Sequence, residues 1–167
     1  MTDPAKQLLT YSKLGVVIDS NLLLLLFLGS YDRRQIATND RLSKYSEEDY
    51  DLLIRVLKPF KRIVTTPNIL TEVSNLSNAI PERSREAYFA SIATRLTLLD
   101  EQHVVSATAL QNRWAKYGLT DAVIAVVAKN RYLVLTDDFR LSQSLESDGI
   151  ETLNFNHLRD AYWHMLS

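Results

Sequence analysis

The chain has 167 residues, 46% hydrophobic and 23% charged, which is the composition of an ordinary globular domain with room for a sizeable core. A formal net charge of −1 excludes any global pull toward nucleic acid or an anionic membrane, so a polyanion would have to be gripped by a local patch. With no cysteine there can be no disulfide, zinc–thiolate site or cysteine nucleophile, which suits a reducing cytoplasm.

The first dozen residues read as a loose polar lead-in. VVIDSNLLLLLFLG, residues 16–29, is the most apolar part of the chain, yet it contains Asp19 and Asn21. The unbroken run Leu22 to Leu28 is too short for a membrane span, which needs roughly 20 residues. It also lacks a cleavage site of the signal-peptide kind. The stretch is therefore expected to be a buried strand, Gly15 to Ile18, that ends at Asp19 and turns into a buried helix. The polar residues 30–49 are long for a simple loop, so they form either a functional excursion or a partly disordered one. Ser46 before Glu47, Glu48 and Asp49 predicts a capped helix through about Leu57.

Arg62 to Thr65 predicts a second strand, followed by a helix with Thr66 as N-cap and Pro67 at its first position. Pro81 and Glu82 open an amphipathic helix through about Leu98. HVVS predicts a short strand and a cap at Ser106, then a helix stopping at Gly118. A helix restarts at Thr120, and its AVIAVVA core is apolar on nearly every side. RYLVLT (131–136) and ETLNF (151–155) predict two more strands. Strands alternating with helices imply one α/β domain over residues 1–167, with a central, mainly parallel sheet covered on both faces.

In such sheets, function collects beyond the carboxyl ends of the strands. Asp19 ends the first strand, Glu72 lies in the second turn of the helix after the second strand, Asp121 begins the buried helix, and Asp137 and Asp138 follow RYLVLT. Each has a plain structural use: Asp19 as an N-cap, Glu72 as a solvated helix residue, Asp121 as a helix-dipole complement, Asp137 and Asp138 as turn residues. Together, carboxylates gathered on one rim repel one another, and a hard divalent cation such as Mg2+ or Mn2+ offsets that repulsion.

The succession VVIDSN, TPNILTEV, GLTDAVIA and LVLTDD resembles the four blocks of the PIN-domain nucleases, in order and in strand–helix context, from about Val16 to Asn154. The resemblance implies a three-layer α/β/α sandwich and Mg2+- or Mn2+-dependent endoribonuclease activity that leaves a 5′-phosphate and a 3′-hydroxyl. Many small members of that family are the toxin half of bacterial toxin–antitoxin pairs, so an antitoxin protein is an implied partner. Carried over residue by residue, Asp19, Glu72 and Asp121 match the first three acids. Asp138 matches the fourth, with Asp137 as the neighbour that could substitute. Asn21 matches the residue that orders the turn, and Thr136 the hydroxyl before the last acid. The segment at about 30–62 is longer than in minimal members.

Candidate phosphate-backbone contacts are Arg33, Arg34, Arg41, Lys44, Lys58, Lys61, Arg62 and, nearest the acids, Arg140. Tyr31 and Tyr45 could stack on bases or pack structurally. His103, His157 and His164 lack zinc-ligand spacing. Tyr88, Phe89, Tyr162 and Trp163 either close the sheet's faces or form a homodimer or partner surface. Rival readings are a non-catalytic module on the same fold, or a phosphatase of haloacid-dehalogenase type. The latter needs a carboxylate two places after Asp19, where this chain has Asn21.

Overall fold

VVI and LVLT, both uninterrupted apolar runs, become neighbouring inner strands in the computed structural model, which describes residues 3–111 and 113–166. Strand β1 (Val16–Ile18) is followed in the chain by β2 (Ile63–Thr65), β3 (Asp100–Glu101), β4 (Leu133–Thr136) and β5 (Thr152–Asn154). They pair in the order β3-β2-β1-β4-β5, and every pairing is parallel. Val16 lies opposite both Ile63 and Leu133, and Thr136 opposite Asn154. The inner strands are buried on both faces, which is why they read as continuous apolar runs. Helices cover both faces, giving a three-layer α/β/α sandwich.

The helices are α1 (Pro4–Tyr11), α2 (Ser20–Tyr31), α3 (Arg34–Thr38), α4 (Glu47–Leu57), α5 (Pro67–Leu76), α6 (Glu82–Leu96), α7 (Ser106–Ala109), α8 (Leu119–Ala128), α9 (Phe139–Ser147) and α10 (Phe155–Leu166). Helix α2 is apolar all round because it is buried all round: Leu22, Leu23, Leu24, Leu25, Phe27 and Leu28 belong to the core. Each such side chain stabilises the fold by about 1.5–3 kcal/mol. Gly29 in its last turn lets the Tyr50 ring of α4 lie against the backbone, where any Cβ would collide with it. Among the described residues, no helix is long and apolar enough to cross a membrane.

Several expectations are corrected. The polar lead-in is helix α1, with Asp3 capping the Ala5 N–H at 3.0 Å and Pro4 at the first position. The third strand is Asp100–Glu101, not HVVS; it owes its form to pairing with Val64 and Thr65 rather than to its own propensity. Val105, not Ser106, is the N-cap of α7, and the region before Gly118 divides into α7 and a 3-10 turn, Arg113–Tyr117.

The excursion is ordered rather than loose. Helix α3 and a 3-10 turn (Asp40–Leu42) bury Ile36 and Leu42, and Tyr45 follows them into the core. The Ser46 cap is a full capping box with Asp49. Tyr88 is core as well, fully buried edge-on to Tyr31 and Phe89, with its hydroxyl 2.8 Å from that of Ser77. On the C-terminal helix, Trp163 remains exposed, whereas Tyr162 packs partly on the core.

Candidate functional site: an acidic pocket at the switch point

The sheet order reverses direction between β1 and β4, and open α/β sheets form their ligand crevice at the carboxyl ends of such a pair. Asp19 follows β1 directly, and Asp137 and Asp138 follow β4. The N-termini of α2, α8 and α9 open onto the same rim, along with the second turn of α5. A pocket of about 310 Å³ lies there, lined by Asp19, Glu72, Asp121 and Asp138 together with Ser20, Asn21 and Thr120. Among the described residues, no lysine or arginine lines it.

Each acid is held differently. Asp19 is 6% exposed and caps α2: its Oδ1 accepts the Leu22 N–H at 3.0 Å. Its Oδ2 accepts the Thr136 hydroxyl and the Asp137 N–H, the latter at 3.1 Å. Burial, then the Asp137 carboxylate, pushes Asp19 up to about 7 in spite of those three donors. Glu72 is exposed but not loose, since its Oε2 accepts the Ser20 hydroxyl at 2.6 Å and its Oε1 that of Thr120. Asp138 caps α9, its Oδ1 accepting the Arg140 and Leu141 N–H groups at 2.7 and 3.0 Å. Asp121 is half-buried at the start of α8. Burial, followed by the Asp138 and Glu72 carboxylates, lifts it to about 6.

Asp137 behaves otherwise. Its carboxylate leaves the pocket and is gripped by the Tyr45 hydroxyl, the Lys44 ammonium and Asn21 Nδ2, the last at 3.2 Å. Burial raises its pKa, but those three partners outweigh it and hold the group below its ordinary value. Between the two neighbours, Asp138 is therefore the one that faces the pocket. Asn21 supplies a donor to Asp137 rather than a second acid, and Thr136 donates to Asp19 while accepting the Asp138 N–H at 3.0 Å.

Sequence reasoning missed the hydroxyls that orient Glu72, although each adjoins an expected acid: Ser20 follows Asp19 and Thr120 precedes Asp121. It also missed Lys44 and Tyr45 as partners of Asp137. Tyr45 is packed and hydrogen-bonded, not available to stack on a base. Of the basic candidates, Arg33 pairs with Asp51 at 2.7 Å, Arg34 with Asp32 at 2.9 Å, and Lys44 with Asp137. Arg62 lies 3.9 Å from Asp100. Arg140 is exposed next to Asp138 but does not line the pocket.

Compared with known proteins, the chain matches no family model and no curated relative.

Among the described residues, no group of three or more His, Cys, Asp or Glu side chains is drawn together tightly enough to hold a metal ion. The donor chemistry of the pocket nevertheless fits a hard divalent cation. Its carboxylate and hydroxyl groups offer oxygen ligands, and Asp121 is raised by burial and then by two neighbouring carboxylates that, among the described residues, no lysine or arginine in the lining offsets.

Proposed function

We propose that the protein is a metal-dependent endoribonuclease, with Asp19, Glu72, Asp121 and Asp138 holding Mg2+ or Mn2+. The observation that carries this reading is that four carboxylates from four separate chain segments line one pocket at the switch point of a parallel sheet. The resemblance of the four sequence blocks to PIN-domain nucleases supports the choice of RNA as substrate. A toxin role, with an antitoxin as partner, rests on that resemblance and is tested by whether an adjacent gene encodes a small DNA-binding protein.

When bound, the cation supplies Lewis-acid polarisation of the scissile phosphate and acidifies water. The chain's own residues supply position and proton handling. Thr136 and the N-terminus of α2 fix the Asp19 carboxylate, and Ser20 and Thr120 aim Glu72 from two sides. The first turn of α9 fixes Asp138. Asp121, lifted to about 6, is a carboxylate whose proton affinity lies near neutrality, as a proton acceptor for the attacking water requires. Asp19, raised further to about 7, has its oxygens taken by the Leu22, Thr136 and Asp137 donors.

The test is RNA cleavage with Mg2+, Mn2+ or chelator, alongside calorimetric titration of metal into the protein and into Asp121→Asn. The expected variant is folded, binds metal more weakly and cleaves at least about 100-fold more slowly. Undiminished cleavage in chelator would overturn the reading.

A further inference from the structure

The two ends of the sheet carry opposite charge. Lys58, Lys61 and Arg62, expected from the sequence to contact phosphates, precede β2 and so lie at the amino ends of the strands. The acidic pocket lies at the carboxyl ends. Gly15 and Asp19 flank β1 on either side, and a strand of that length spans about 13 Å. These cations therefore belong to a different surface from the acids.

Three turns meet on that surface. The Val16 N–H donates to the Arg62 carbonyl at 3.0 Å, the Lys61 N–H to that of Ser12 at 2.9 Å, and the Leu133 N–H to that of Gly15 at 3.2 Å. Gly15, at φ +130°, lets the turns close up: a Cβ there would lie 3.1 Å from the Arg62 side chain and 3.2 Å from the Tyr132 ring. The turns are SKLG (12–15), KPFKR (58–62) and KNRY (129–132), which hold Lys13, Lys58, Lys61, Arg62, Lys129 and Arg131 but no acid. All six cations are exposed.

Their charge is largely unmatched. Arg62 lies 3.9 Å from Asp100, and Arg131 reaches the Tyr132 hydroxyl at 3.2 Å. Among the described residues, the four lysines make no ion pair. Lys58 and Lys129 end α4 and α8, where the helix dipole favours a cation; that use offsets only part of their charge. In the excursion, by contrast, Arg33, Arg34 and Lys44 each have a carboxylate partner.

We propose that this amino-end rim anchors the phosphate backbone of double-helical RNA, apart from the pocket that cuts it. In a chain of net charge −1, six cations gathered on one edge form the local patch that a polyanion needs. Phe60 and Tyr132, the aromatics of these turns, are buried, so the rim offers no platform on which unpaired bases could stack. Leu14 alone among their large apolar side chains is exposed, which gives a membrane little to bury. Contacts of this kind position a nucleic acid without reading its sequence. The choice of RNA over DNA rests on the nuclease reading. An RNA engaging both ends of the sheet must pass round the domain, which suits a folded substrate rather than a short single strand.

The experiment is fluorescence anisotropy in chelator across a salt series, with an RNA hairpin, an unstructured RNA of equal length and a DNA hairpin. The RNA hairpin should bind more tightly than the unstructured strand. Replacing Lys13, Lys58, Lys61 and Lys129 by Ala should weaken it at least about 30-fold at low salt and flatten the slope of log K against log salt by roughly 3–4. If that variant unfolds, Lys13→Gln with Lys61→Gln, both outside helices, should still remove about 2 from the slope. Arg83→Ala, an exposed cation in the first turn of α6, should change neither quantity. Unaltered affinity and slope in the lysine variants, or an equal loss in Arg83→Ala, would overturn the anchor. Equal binding of the unstructured strand would overturn the duplex assignment, and a DNA hairpin more than about tenfold tighter would overturn RNA. Displacement of the hairpin by anionic vesicles or polyglutamate at equal charge would give the rim to a membrane or an acidic protein instead. Cleavage is scored separately: hairpin binding by a protein that cuts no RNA would sink the nuclease and leave the phosphate-binding rim standing.

Discussion

Asp137 and Asp138 are adjacent in the chain and opposite in circumstance. Asp137 is 5% exposed and faces a cation, a phenol and an amide, so its charge is matched from within the protein. Asp138 looks into a pocket shared with Asp19, Glu72 and Asp121, where, among the described residues, no lysine or arginine in the lining matches their charge. The matched cluster extends further. Arg159 donates twice to Asp49, both at 2.8 Å, and once to the Lys44 carbonyl, while its guanidinium lies over the Tyr45 ring. A buried carboxylate that the fold pairs with a cation, as Asp137 is, is held below its ordinary pKa, whereas Asp19 and Asp121, in a pocket whose described lining has no lysine or arginine, are raised.

The sharpest way to break that comparison is to remove a partner from the matched side. Arg159→Ala strands Asp49, itself almost wholly buried, and should cost about 3 kcal/mol. In a domain of this size that is a loss of roughly 6–12 °C in Tm, read by calorimetry. A change within error would mean that the latch between the excursion and α10 is ornamental. Tyr45→Phe deletes one of the hydrogen bonds to Asp137 without opening a cavity and should cost about 1–2 kcal/mol by denaturant unfolding.

The smallest effect lies on the unmatched side. Asp121 binds its proton more tightly folded than unfolded, since its pKa rises from 3.8 to about 6. Its stabilising contribution is therefore complete below about pH 4 and is lost as pH rises through about 6. Screened by solvent, that amounts to about 1 kcal/mol. Metal-free Tm should fall by a few degrees between pH 4.5 and 7.5. The fall should shrink in Asp121→Asn, leaving the share due to Asp19, and should reverse when Mn2+ is added. A pH-independent Tm would show that the carboxylates do not repel.

The inner strands and the acids were legible because their signals are local: apolar runs closed by Asp, and helices opened by caps. Asp3-Pro4 was the same kind of signal, and α1 was missed only because its surroundings are polar. Strand β3 was not legible, since Asp100 and Glu101 have little strand propensity and take their form from Val64 and Thr65 across the sheet. The family resemblance preferred Asp138 to Asp137, but what sorts the two in the structure was not legible. It depends on Lys44 and Tyr45, far away in sequence, and no periodicity encodes that meeting.

The central position of β1 has a consequence for how the protein is made. Val16 needs Ile63 on one side and Leu133 on the other, and Asp19 takes its hydrogen bond from Thr136. A ribosome must therefore release the chain through β4 before the first strand has both neighbours. Until then, the leucines of α2 lack their full cover. Such long-range parallel pairing is slow and prone to aggregation. Nascent chains stalled before β4 should be the species that chaperones hold, and the acidic pocket stays unassembled until β4 and Asp138 have emerged.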